Sequence, residues 1–95
     1  MKLRYTPRGA VDLEDILSYL AERSPQGGRN VRARIHAVAN LLLQHPNAGQ
    51  LTSKSGLRRI VTAPYPFVIY YRAGAETITI HAVRHGARRP TSELR

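Results

Sequence analysis

The residues best equipped for chemistry in this chain are basic: Arg58 and Arg59, Arg72, and the run Arg84-His85-Gly86-Ala87-Arg88-Arg89. An arginine guanidinium is a planar fork of N–H donors that matches phosphate or carboxylate, and a histidine set among such cations can accept or give a proton near neutral pH. A metal-independent ribonuclease needs a base for the 2′-hydroxyl, an acid for the leaving oxygen and cations for the phosphate, and His85 between Arg84 and Arg88 offers part of that set. Any single arginine is read more simply as a solvated surface residue. The cluster as a whole is different, because no acid occurs in residues 77–92 and unscreened like charges repel one another until a partner supplies anions. His81 and His85 have the spacing of a metal pair. Placed on a strand and its exit they do not converge as i, i+4 ligands on a helix do, so no metal or other cofactor is assigned. His36 and His45 are read as surface or helix-end residues.

Four further residues are candidates for contact with a partner. Leu41 and Leu43 flank Leu42 at about 100° on either side, given about 3.6 residues per turn, so both cannot sit at the centre of one buried stripe. A wide core face and a groove for a partner helix explain this apolar excess about equally well. Tyr19 and Arg34 lie off the core stripes of their helices and are weaker candidates for the same contact.

The elements that must position these groups follow from periodicity. Residues 2–5 alternate and predict a short strand. Thr6-Pro7 marks a helix start, since threonine can cap free amides and proline is tolerated at the first helical position. Leu13, Ile16, Leu17 and Leu20 then share one face, with Asp12, Glu14, Asp15 and Glu22 largely off it. Ser24-Pro25 repeats the signal, Val31, Ile35, Val38 and Leu42 form a second stripe, and His45-Pro46 ends it near Gln44. Residues 57–62, 67–72 and 77–83 read as strands, the last two joined by a short hairpin loop at 73–76. Phe67, Ile69 and Tyr71 point one way and Val68 and Tyr70 the other, so the middle strand is apolar on both sides and is expected to be central. The prediction is an α+β domain: an N-terminal strand, an antiparallel two-helix hairpin, then three antiparallel strands, with the hairpin on one face of a small antiparallel sheet and the other face partly open.

Composition sets the outer limits. Ninety-five residues make one domain, 1–95, with a flexible tail expected after about residue 90. There is no cysteine, which excludes disulfides, thiolate metal sites and thiol nucleophiles. The opening residues lack the apolar run of a signal peptide, and the longest apolar stretch, residues 67–71, is far too short to span a bilayer, so the expectation is a cytoplasmic protein without a membrane partner. The net charge is +9, and thirteen of the fifteen bases are arginine. Residues 1–23 carry four bases and four acids, so the whole excess lies later, where eleven bases face only Glu76 and Glu93. Nucleic acid and an acidic protein tail are the partners that such a charge attracts.

In order and spacing, Thr6-Pro7 before an acidic helix, Gly56-Leu57-Arg58 opening a strand, Phe67-Val68-Ile69-Tyr70-Tyr71-Arg72 and Arg84-His85-Gly86-Ala87-Arg88 resemble the RelE/ParE superfamily of toxins, the last run pointing to its ParE branch. The resemblance covers residues 1 to about 90. It implies the toxin of a type II toxin–antitoxin pair, a plasmid-stabilisation protein that binds DNA gyrase and blocks replication without catalysis. A ParD-like antitoxin would neutralise it in a hetero-oligomeric complex and contact operator DNA on its behalf. Arg58, His85 and Arg88 are carried over as toxicity-surface candidates, with Arg59 and Arg84 added as their neighbours; Tyr19, Arg34, Leu41 and Leu43 are the antitoxin-binding candidates. The alternatives are a RelE-type ribosome-dependent mRNA endoribonuclease and a non-toxic antitoxin-binding module. Phe67 stands where the nucleases typically place an arginine, and no Tyr, Phe or His follows Arg88; both departures weaken the nuclease reading.

Overall fold

The structure, a computed structural model, describes residues 1–86. The tail expected after residue 90, and with it Arg88 and Arg89, lies outside the described residues. The elements run β1 (Lys2–Tyr5), α1 (Pro7–Arg23), α2 (Pro25–Gln44), β2 (Gln50–Leu51), β3 (Leu57–Val61), β4 (Phe67–Ala73) and β5 (Thr77–His85). Both helices begin as the sequence predicts. The Thr6 hydroxyl accepts a hydrogen bond from the Gly9 amide and the Ser24 hydroxyl one from the Gly27 amide, each 3.0 Å, with proline next in the chain. Ser24 closes α1 and opens α2, so the two helices form a tight hairpin.

The strands form one five-stranded sheet in the order β1-β5-β4-β3-β2, and β4 is central as its two apolar faces require. Two points differ from the sequence reading. The sheet is mixed, because β1 runs parallel to β5, pairing Lys2 with Thr77 through Tyr5 with Ile80. A fifth strand, β2, pairs Gln50 and Leu51 with Arg59 and Arg58; two residues are too few to show an alternation. One face of the sheet supplies Phe67, Ile69, Tyr71, Ile78, Ile80 and Val83 to the main core, against Leu17 of α1 and Val31, Ile35, Val38 and Leu42 of α2. Among the described residues the other face carries no helix, and it holds a small buried cluster of Leu57, Val68, Tyr70 and Ala82.

An irregularity in β5 decides which side chains reach which face. Tyr70 pairs with Ala82 but Tyr71 pairs with Ile80, so His81 is an extra residue, a bulge. Ile80 and Val83 face the helices while Ala82 faces away, although simple alternation would have put Ala82 with Ile80. No helix among the described residues is long and apolar enough to cross a membrane.

Candidate functional site

Pairing with β1 stops at Ile80, so the last stretch of β5 has an edge that no strand covers. α1 closes it. The Thr6 amide donates to the Ile80 carbonyl at 3.0 Å, Gly9 brings the helix into backbone contact there, and the Asp12 carboxylate accepts the Val83 N–H at 3.0 Å. The same carboxylate lies 3.7 Å from Arg84 Nε and accepts from Arg8 Nε at 3.2 Å. Beyond this contact α1, the start of α2 and the ends of β4 and β5 diverge and leave a groove of about 830 Å³. Its lining includes the apolar Ile16, Leu20, Val31, Phe67 and Val83, together with Asp12, Asp15, Tyr19, Arg84 and His85. The His85 ring packs edge-on against Phe67, centroids 5.4 Å apart. Tyr19 is 55% exposed and carries the Arg23 guanidinium stacked over its ring at 3.7 Å. A mostly apolar concavity with charged sides of both signs is suited to the side chains of an amphipathic segment.

The basic residues singled out from the sequence are divided among three places. Arg58 lies on the helix-facing side, opposite Tyr71, and its Nη1 donates to the Gly49 carbonyl at 2.7 Å. Tyr71 holds the same loop, accepting from the Gly49 amide and donating to the Pro46 carbonyl, both 2.8 Å. Arg59 is paired with Tyr70 and lies on the helix-free face. Arg84 and His85 line the groove, and Arg88 is outside the described residues. The partner-contact candidates are also dispersed. Tyr19 reaches the groove, Arg34 Nε donates to the Ala63 carbonyl at 2.7 Å, Leu41 is 44% exposed on α2, and Leu43 packs half-buried against the core.

One group, Asp12, and one juxtaposition, that of Arg72 with His81, escape the site reading. Asp12 was placed only among acids off the core stripe, and nothing local marks it as the cap of a strand edge. Arg72 and His81 meet on the helix-free face, where burial first and the Arg72 charge second lower the His81 pKa from its ordinary value. The alternation of β4 gives the side of Arg72 and that of β5 gives the side of His81, but their approach depends on the register of the two strands. No group of three or more His, Asp or Glu among the described residues could hold a metal ion.

Residues 3–90 match the family model described as the ParE toxin of the type II toxin–antitoxin system parDE. The chain is 35% identical to Toxin ParE2 of Mycobacterium tuberculosis, covering 85% of this chain and 77% of that one. It is 32% identical to Toxin RelE2 of Caulobacter vibrioides, over 88% and 93%. Among solved structures, the chromosomal ParDE toxin–antitoxin system from P. aeruginosa superposes with a TM-score of 0.76 at 22% identity, covering 90% of this chain and 95% of the other. YafQ from E. coli shares the fold at a TM-score of 0.59 and 14% identity, over 90% and 92%.

Proposed function

Because the chain belongs to the ParE toxin family of type II toxin–antitoxin systems, we propose that it inhibits growth by binding DNA gyrase and blocking replication, and that a ParD-like antitoxin neutralises it. The observation that carries binding over cutting is the division of the basic residues. A ribonuclease built on Arg58, Arg84, His85 and Arg88 needs its cations and its proton carrier around one phosphate. Arg58 is instead committed to the loop at Gly49, on the helix side, while Arg84 lies beside Asp12 and His85 stands against Phe67. Phe67 itself is 7% exposed and forms part of the core, at the position where a cutting relative is expected to carry arginine.

The antitoxin reading rests on charge and shape. An acidic, apolar-studded segment complements a +9 chain and finds in the groove a floor for its apolar side chains. The test is a supercoiling reaction with purified gyrase and relaxed plasmid. The free chain is expected to abolish supercoiling and to raise the yield of cleaved DNA, and the antitoxin encoded beside it to restore the reaction. Full supercoiling in the presence of excess chain, with codon-phased mRNA breaks after its induction, would replace this reading with that of a ribosome-dependent endoribonuclease.

A further inference from the structure

We propose that residues 87–95 of this same chain fold back into the groove between α1, the start of α2 and the ends of β4 and β5, seating Leu94 on its apolar lining, so that an incoming partner has to displace them. The place where β5 ends points to this occupant. Arg84 and His85 line the groove. The next residue, Gly86, donates its amide to the carbonyl of Pro66, which lines the groove as well. The chain therefore leaves β5 at the wall of the groove itself. Leu94 is eight residues beyond Gly86 and can lie up to about 26–29 Å from it, at about 3.3–3.6 Å per extended residue, which is ample to cross the groove.

Composition and charge fit the same occupant. Residues 87–95 carry three arginines and one glutamate, and Leu94 is their one large apolar side chain. The groove also carries both signs, Asp12 and Asp15 with Arg84 and His85. Asp12 already pairs with Arg8 and Arg84, whereas Asp15 forms no ion pair among the described residues and is the acid open to Arg88 or Arg89. A short tether raises the local concentration of a segment to the millimolar range, so a contact too weak to hold a separate peptide is enough to fill the site. The tether favours the chain's own segment over a second copy, which has to be recruited from dilute solution. The docking stands on placement and charge; its consequence for the antitoxin rests on the function proposed above. An antitoxin segment entering the same groove binds more weakly in proportion to the fraction of molecules whose groove is open.

Disulfide trapping tests this in the full chain, which has no cysteine of its own. Leu94→Cys is combined with Tyr19→Cys in one variant and with Val11→Cys in another, and oxidation is followed at micromolar protein. Tyr19 and Val11 are equally exposed, at 55%, on the same helix, and Val11 adjoins Asp12, which reaches Arg84; Tyr19 lines the groove and Val11 does not. The intramolecular bond is expected to form at least about tenfold faster at Tyr19 than at Val11, and the difference to vanish in urea that unfolds the chain. Equal rates in the folded chain would overturn the proposal. So would disulfide-linked dimers at Tyr19 that increase with protein concentration, which would make a second copy the occupant. Leu94→Ser alone decides the matter should Tyr19→Cys unfold: it should move the amide resonances of Tyr19, Leu20 and Val83 and leave that of Leu51 in place, and unmoved groove resonances count against the docking. The same variant is expected to bind the antitoxin encoded beside it at least about threefold more tightly. Trapping at Tyr19 with no such gain would leave the segment in the groove and place the antitoxin elsewhere, so the two readings fail separately.

Discussion

Asp12 shows how one side chain can be misjudged from sequence and still decide local structure. Its position on α1, away from the apolar stripe, gives it the look of a solvated helix acid, yet it is only 14% exposed and caps the Val83 N–H on the uncovered edge of β5. A buried amide deprived of its acceptor costs about 1–3 kcal/mol, whereas an exposed i, i+4 ion pair contributes about 0.3–0.5 kcal/mol. Asp12→Ala is therefore expected to lower stability to urea by about 1–3 kcal/mol, with Asp12→Asn recovering part of it because an amide oxygen can still accept from Val83. Arg8→Ala, which removes only the exposed partner, should cost under about 0.5 kcal/mol. If Arg8→Ala proved as costly as Asp12→Ala, the ion pair would be the important contact and the edge cap incidental.

At the level of elements, the features legible in the sequence are those that local chemistry sets. Thr6-Pro7 and Ser24-Pro25 mark both helix starts, and the doubly apolar run from Phe67 to Tyr71 marks the central strand. The parallel pairing of β1 with β5 joins residues at opposite ends of the chain, so no local periodicity reports it. The bulge at His81 reverses the alternation that would assign faces beyond it, while adjacent Arg58 and Arg59 are sent to opposite faces by the alternation of β3 itself. Gly9 marks the unseen contact between α1 and β5, for an added Cβ would stand 2.5 Å from the Ile80 carbonyl oxygen. Two effects of Gly9→Ala oppose each other: a gain in helix propensity of up to about 1 kcal/mol, and overpacking that costs about 1–3 kcal/mol. The obstacle is backbone rather than a flexible side chain, so the clash is expected to win. Thermal unfolding should show a lowered Tm for Gly9→Ala, and a raised one would mean that α1 can lift from the sheet without loss.

For the whole molecule, charge and shape divide the surface into regions with different uses. Among the described residues, the bases after residue 23 are spread over α2, both faces of the sheet and the groove. Tyr19, Arg84 and His85 are the groove residues that the sequence singles out, and their convergence is not legible there because the walls come from segments far apart in the chain. The two exposed apolar antitoxin-contact candidates, Tyr19 and Leu41, can now be separated, because Tyr19 lines the groove and Leu41 does not. Interface energy concentrates in aromatic side chains that become fully desolvated beside an apolar pocket, where truncation costs about 2 kcal/mol or more. An isolated exposed leucine on a helix offers no such pocket. Calorimetry with the proposed antitoxin should therefore show Tyr19→Ala weakening binding at least about tenfold, equivalent to about 1.4 kcal/mol, and Leu41→Ala by less than about threefold. Both residues are largely exposed in the free chain, so neither change should disturb the fold, and matching thermal unfolding curves would establish that the difference lies in the complex. The reverse ranking would move the antitoxin from the groove to the outer surface of α2.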